Sequence, residues 1–226
     1  MKVSVIIPAY NEEKYLAQTL ISLQNQTIKP SEIIVVDNNS HDQTAAIAKS
    51  WGATVIQEKK QGMIHARNKG FNSAHADIIA RCDADVILPP DWIERIIQNF
   101  THHQIDALSG PVTYYDSALK YTSTLPSMTY LKSLGLLTGG HHYLVGPNMI
   151  LTRDIWNQVK DSVELDDTKV HEDIDLSLRI IHVGGKIRND PHLVVQTSSR
   201  RIIHKPDSFF LEYPLRMIKT FRLNRQ

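Results

Sequence analysis

At 226 residues, with 42% hydrophobic and 22% charged side chains, the chain has the make-up of a globular protein long enough to bury a core without staples. A net charge of +1 excludes the electrostatic footprint of a nucleic-acid binder, and the single Cys82 excludes an intrachain disulfide framework, which points to a reducing compartment. The opening apolar run from Val3 meets Asn11, Glu12 and Glu13 too soon for a signal-peptide core, and no uncharged stretch is long enough to span a bilayer. The expectation is a cytoplasmic protein, soluble or peripheral at the inner face of a membrane.

Val3–Ala9 reads as a buried strand ended by Pro8, with Asn11 placed as the N-cap of a helix over Glu12–Gln24. Glu32–Asp37 is a second apolar strand ending in a carboxylate; Asn38, Asn39 and Ser40 make a turn, and Asp42–Trp51 a helix stopped by Gly52. Thr54–Glu58 is a third strand, Gly62 opens a helix to about Ser73, and Asp77–Cys82 is a fourth strand running into Asp83-Ala84-Asp85. Strands that alternate with helices and are apolar on both faces predict an α/β fold, a mainly parallel sheet flanked by helices. Ligands bind such open sheets at the carboxyl ends of the strands, and here three ends carry polar or acidic residues. No Gly-x-Gly-x-x-Gly follows the first strand, which argues against a dinucleotide fold.

Beyond Phe100 the pattern loosens. Ala107–Tyr115 reads as a strand, Asp116–His142 as a long functional loop, Asn148–Thr152 as a strand and Arg153–Val159 as a helix. Glu172–His182 is a helix stopped by Gly184-Gly185, followed by short strands at Lys186–Asn189 and Leu193–Thr197. No repeat or linker breaks the chain, so one domain with a C-terminal extension is expected.

The chemistry concentrates at a few places. Asp83-Ala84-Asp85, at a strand end, offers the hard oxygen ligands that Mg²⁺ or Mn²⁺ on a diphosphate requires, although the same triplet also occurs in solvated turns. Asp37 can accept hydrogen bonds from a base or ribose, or cap the next helix. Arg67 can neutralise a phosphate or bind loop carboxylates. His65, two residues before it, reads as a structural partner rather than a catalyst. Glu172-Asp173-Ile174-Asp175 puts acids at a helix start, where the dipole favours the ionised form; this suits a general base and equally suits capping.

Val3-Ser4-Val5-Ile6-Ile7-Pro8-Ala9-Tyr10-Asn11-Glu12, Ile33 to Thr44, Ala66-Arg67-Asn68 and Asp83-Ala84-Asp85, in that order and spacing, closely resemble the family 2 glycosyltransferases, and Gly146-Pro147-Asn148 and Glu172-Asp173 also fit. The resemblance covers roughly residues 2 to 182 and is strongest in the first hundred. It implies a GT-A fold and an inverting, metal-dependent transfer from a UDP- or GDP-linked sugar to an acceptor hydroxyl, in cell-surface glycan or glycolipid synthesis. The nucleotide-binding part would take about 1–100 and the acceptor-binding part about 101–206. By the same resemblance Pro8, Tyr10, Glu12, Asp37, Arg67 and Asp83 face the nucleotide, Asp85 binds the metal with Asp83 beside it, and Asp173, with Glu172, is the base. Arg200 or Arg201 would steady the departing diphosphate. His204, ahead of His192, is the histidine that this fold would recruit to the metal. The processive signature Gln-x-x-Arg-Trp is absent; Gln196-Thr197-Ser198-Ser199-Arg200-Arg201 stands in its region, so a polysaccharide synthase is not expected.

Two alternatives stand beside this reading. One is transfer onto a polyprenyl phosphate, an acceptor already ionised; the other is a non-catalytic nucleotide-sugar-binding module. Residues 207–226 form a basic amphipathic extension in which Arg216, Lys219, Arg222 and Arg225 interleave with Leu215, Ile218, Phe221 and Leu223. That pattern suits peripheral contact with an anionic membrane near a carbohydrate or lipid-linked acceptor. It also suits packing of Phe209, Phe210 and Leu215 on the domain or on a second subunit, with Pro214 interrupting the helix.

Overall fold

The computed structural model describes residues 1–116, 124–204 and 212–224. The first half alternates strand and helix: β1 (Val3–Ala9), α1 (Leu16–Gln24), β2 (Glu32–Asp37), α2 (Thr44–Ser50), β3 (Thr54–Gln57), α3 (Met63–Ser73) and β4 (Ile78–Arg81). There follow β5 (Val86–Ile87), α4 (Trp92–His102), β6 (Ala107–Ser109), β7 (Val112–Tyr114), α5 (Thr124–Leu137), β8 (Met149–Thr152) and α6 (Arg153–Val159). The chain continues through α7 (Glu172–His182), β9 (Ile187–Asn189), β10 (Val195–Thr197), α8 (Arg200–His204) and α9 (Tyr213–Leu223).

The main sheet has the order β3-β2-β1-β4-β8-β6-β9. β1 pairs in parallel with β2 and β4, and β8 is antiparallel to both β4 and β6. All seven residues of β1 are buried, because helices cover both faces of the sheet. Val3, Val5 and Ile7 face a core built with Leu16, Leu20 and Leu23 of α1 and Trp92, Ile93 and Ile96 of α4. Ile6 points the other way, into a core with Ala66 and Phe71 of α3, Trp156 of α6 and Leu176 and Ile180 of α7. The period of two along the strand thus feeds two cores from one segment. Gly70 lets α3 lie against β1: a Cβ there would meet Ile6 Cγ2 at 2.2 Å.

The chain runs outward from β1 to β3 and then returns to place β4 on the other side of β1. Open sheets bind ligands in the crevice outside the carboxyl ends of the strands at such a reversal, here β1 and β4. A small second sheet, β5-β10-β7, carries the stretch after Thr197 to the same edge, where Thr197 and Arg200 bond to Asp85.

Several local expectations change. Pro8 does not end β1; it pairs with Val36, and the neighbouring ladder to β4 has stopped at Ile6, so its missing N–H costs nothing there. Asn11 does not cap α1, which begins at Leu16; it adopts φ 54° and its side chain accepts the His41 N–H at 2.9 Å. Ala107–Tyr115 is split between two sheets at Gly110-Pro111, where a Cβ on Gly110 would strike the Leu193 carbonyl at 2.1 Å. The stretch read as one long loop contains α5, whose Leu131 and Leu134 pack with Tyr143, Ile174 and Leu178. α4, not anticipated at all, is the most amphipathic of the buried helices flanking the first half, with Trp92, Ile93, Ile96 and Phe100 on its inner side. Pro214 stands in the first turn of α9, where a proline is tolerated, and does not interrupt it.

Candidate active site

Two arginines organise the acids at the carboxyl edge of the sheet. Arg81, the last residue of β4, is 2% exposed, and its guanidinium donates to Glu172 Oε1 at 2.7 Å and Asp83 Oδ1 at 2.9 Å. Asp173 Oδ1 lies 3.9 Å from the same group. Burial works against the charge on Arg81, but Glu172, Asp83 and Asp173 outweigh it and hold the guanidinium above its ordinary range. Arg67, on α3, is also buried and lies 3.6 Å from Glu172 Oε2, while it donates to the Glu172 carbonyl and to Asn68 Oδ1. Of the two uses open to Arg67, the observed contact is with a carboxylate.

The adjacent acids Glu172 and Asp173 open α7, whose first turn favours negative charge. Their environments separate them. Burial opposes ionisation of Glu172, yet Arg81 and Arg67 together hold it below the usual carboxylate range. Burial and then the charge of Glu172 push Asp173 up to about 6. Asp173 Oδ2 accepts the Gly146 N–H at 2.8 Å, and its Oδ1 is buried without a hydrogen-bond partner. Gly146 reaches this point because β8 pairs with β4 in a register that sets Met149 beside Arg81. Just before β8, Asn148 is fully buried, accepts from Trp92 Nε1 at 3.0 Å and donates to the Leu193 carbonyl at 2.7 Å.

A third arginine, Arg200, enters from the C-terminal side. Its Nε donates to Asp85 Oδ2 at 3.0 Å, its Nη2 to Glu12 Oε1, and its guanidinium stacks 4.3 Å above the Tyr15 ring. Thr197 Oγ1 adds a bond to Asp85 Oδ1 at 3.2 Å. Burial raises the Glu12 carboxyl against the pull of Arg200, and Glu12 Oε2 is buried without a hydrogen-bond partner. At the end of β2, Asp37 accepts from the Ser40 N–H at 3.0 Å and from Gln57 Nε2 at 2.8 Å. Tyr10 is half exposed at the mouth of the crevice, and His192 is an exposed turn residue whose N–H donates to Asp190. The side chains of Arg201 and His204 lie outside the described residues.

Glu12, Asp83 and Asp85 are hard oxygen donors, the charges of Asp85 and Asp83 add to burial in raising the Glu12 carboxyl, and Glu12 Oε2 is left without a hydrogen-bond partner. Among the described residues no three His, Cys, Asp or Glu side chains converge to hold a metal ion by themselves. This donor set fits a divalent cation that takes one or two carboxylates from the protein and completes its shell with phosphate oxygens and water. Sequence reasoning found the acids and Arg200 but not Arg81, Thr197 or the Gly146 amide. A signal for Arg81 existed: a cation in the otherwise apolar Ile78-Ile79-Ala80-Arg81 demands buried counter-charges.

The model of the family described as Glycosyl transferase family 2 matches residues 4–159. Glycosyltransferase AglE of Haloferax volcanii is 33% identical over 120 residues, 50% of this chain and 40% of that protein. Putative glycosyltransferase EpsE of Bacillus subtilis is 29% identical over 193 residues, 81% of this chain and 68% of that one. The chain spans less than half the length of several of the curated relatives it matches. Glucosyl-3-phosphoglycerate synthase from Mycobacterium tuberculosis, solved with Mn²⁺, UDP and glucosyl-3-phosphoglycerate, superposes with a TM-score of 0.69 at 18% identity over 99% of this chain and 79% of that one.

Proposed function

The chain belongs to glycosyl transferase family 2 and has the GT-A fold, and on that premise we propose that it is an inverting, non-processive transferase moving a sugar from a UDP- or GDP-linked donor to an acceptor hydroxyl. The observation that carries the reading is Asp173: a buried carboxylate with one oxygen held by the Gly146 amide, the other without a hydrogen-bond partner, and a proton affinity raised toward neutrality. Such a group accepts the proton of an attacking hydroxyl in a single displacement at the anomeric carbon. Arg81 and Arg67 take the charge of Glu172, which leaves Asp173 as the acid of the pair whose ionisation changes near working pH.

Pro8, Tyr10, Glu12, Asp37 and Asp83 form the nucleotide side of the crevice, and Arg67 acts there through Glu172. Asp85 is the metal-holding carboxylate, with Asp83, Glu12 and His204 as further donors. A bound Mn²⁺ or Mg²⁺ would supply charge to the leaving diphosphate. Arg200, which reaches Asp85 and Glu12, is the cation for the departing diphosphate, and Arg201 is the alternative. The acceptor is a carbohydrate or lipid-linked hydroxyl. The outer face of α9, where Leu215 and Ile218 are exposed beside Lys219 and Arg222, provides peripheral contact with the membrane that carries it.

A panel of UDP- and GDP-sugars, assayed for Mn²⁺-dependent donor hydrolysis and then for transfer to an acceptor panel, tests the reading. We expect activity in Mn²⁺ or Mg²⁺ to disappear in Asp85→Ala. Full turnover in excess EDTA would refute the metal requirement. Transfer onto a polyprenyl phosphate, whose oxygen is already ionised, would leave Asp173→Asn active.

A further inference from the structure

The guanidinium of Arg200 occupies the position from which Asp85 and Glu12 are both reached. It binds Asp85 through Nε and Glu12 through Nη2, with Tyr15 beneath its plane. These are two of the carboxylates that the proposed function gives to the metal, on which the present inference rests. One fixed fork therefore satisfies the same oxygens that a divalent cation would need.

The arm that presents this fork is itself fastened. Thr197 ends β10 and bonds to Asp85, Ser198 Oγ donates to Asp116 Oδ2 at 2.5 Å, and the Ser199 N–H donates to Asp116 Oδ1 at 2.7 Å. Asp116 follows β7, the strand beside β10, so the small sheet sets where the guanidinium stands.

We propose that Arg200 is a built-in counter-ion that holds the carboxylates of Asp85 and Glu12 against Mn²⁺ or Mg²⁺ alone and yields them only when the cation arrives with a nucleoside diphosphate. The exchange is one of charges. One guanidinium halves the charge of two carboxylates and takes an oxygen of each, and a bare divalent cation must displace that guanidinium into solvent without a new partner. With a diphosphate present, the released guanidinium gains phosphate oxygens in planar, bidentate geometry. Glu12 Oε2, buried and without a hydrogen-bond partner, marks the acceptor capacity that the arginine leaves unused.

The test is binding of Mn²⁺ alone, followed by the paramagnetic resonance signal of the free ion. An internal competitor reduces affinity by the fraction of molecules whose site is open, so a contact made nine times in ten costs about tenfold. Arg200→Gln should therefore bind Mn²⁺ without nucleotide about tenfold more tightly than the parent protein. Arg200→Lys, which keeps the charge but not the fork, should fall between them. Adding Asp85→Asn to Arg200→Gln should abolish the gain. Equal or weaker Mn²⁺ binding by Arg200→Gln overturns the inference. If the parent protein binds Mn²⁺ when UDP or GDP is added but Arg200→Gln shows no gain in its absence, this inference alone fails. If neither protein binds Mn²⁺ even with nucleotide, the metal reading fails with it.

Discussion

Asp173 has its two oxygens in different circumstances, one on the Gly146 amide and one buried without a hydrogen-bond partner. Burial first, and the neighbouring charge of Glu172 second, raise its pKa to about 6. A general base works when ionised, so the ionised fraction rises with pH through about 6 and falls below it. We expect kcat/KM for the acceptor to show an acid limb in that region, measured across buffers that leave the metal in solution. Asp173→Asn is nearly isosteric and cannot take the proton. Its kcat should drop about 10²–10⁴-fold while calorimetric donor affinity is kept. Donor binding that vanishes together with activity would make Asp173 a donor-binding or structural group instead. Arg81 is as necessary as the acids it joins. Without it the partly buried Asp83 would lose that ion pair and Glu172 would keep only the longer contact with Arg67, a costly state at the edge of the sheet.

At the scale of the element, α3 shows how packing and site are linked. The helix carries Arg67 toward Glu172 and lies flat on β1 and β2 through Gly70. Its N-terminus receives Asp167, whose carboxylate accepts the Met63 N–H at 2.8 Å and so satisfies a donor that the helix cannot satisfy itself. Adding one methyl at Gly70 drives a Cβ to 2.2 Å from Ile6 Cγ2 and 3.0 Å from Val36 Cγ2. We expect Gly70→Ala to cost about 1–3 kcal/mol through overpacking, seen as a lower midpoint in thermal or urea unfolding. An unchanged midpoint would mean that α3 does not approach the sheet this closely. α9 is the second instructive element. Met217 and Phe221 pack against the cluster of Leu131, Leu134, Tyr143, Ile174 and Leu178, Thr220 Oγ1 accepts the His171 N–H at 2.7 Å, and Tyr143 meets Phe221 edge to face. Leu215 does not pack on its own domain and is exposed, while Phe209 and Phe210 lie outside the described residues.

For the whole molecule, the strand order reverses between β1 and β4, and the small sheet brings the C-terminal arm to the carboxyl edge there, where Arg200 meets Asp85 and Glu12. The packed inner face of α9 also decides how membrane contact is tested. Deleting the helix would uncover Leu131 and Leu134, so loss of vesicle binding would not separate contact from unfolding. The exposed pair Leu215 and Ile218 is the better probe. We expect the intact protein to co-sediment with anionic vesicles less as salt rises, and the double variant Leu215→Ser, Ile218→Ser to co-sediment less while its unfolding midpoint is unchanged. Equal pelleting of variant and parent would end this assignment. Among the described residues no helix is long and apolar enough to cross a membrane.

The sequence by itself determined the parallel half of the sheet, because a strand covered on both faces must be apolar at every position, as Val3–Ala9 and Glu32–Asp37 nearly are. It also determined which acids stand at strand ends, since a carboxylate closing an apolar run has no place inside it. Only the tertiary structure decided which of those acids meet. Arg81 joins Asp83 to Glu172, 89 residues farther along the chain, and Arg200 joins Asp85 to Glu12 across |i−j| of 115 and 188. Such pairings depend on the order in which strands enter the sheet, and that order is set by the burial of whole helical faces rather than by any local pattern. The division of labour between Glu172 and Asp173 has the same origin. The two adjacent acids share a helix turn and a dipole, and they differ in how close the buried arginines come and in the Gly146 amide that only Asp173 meets.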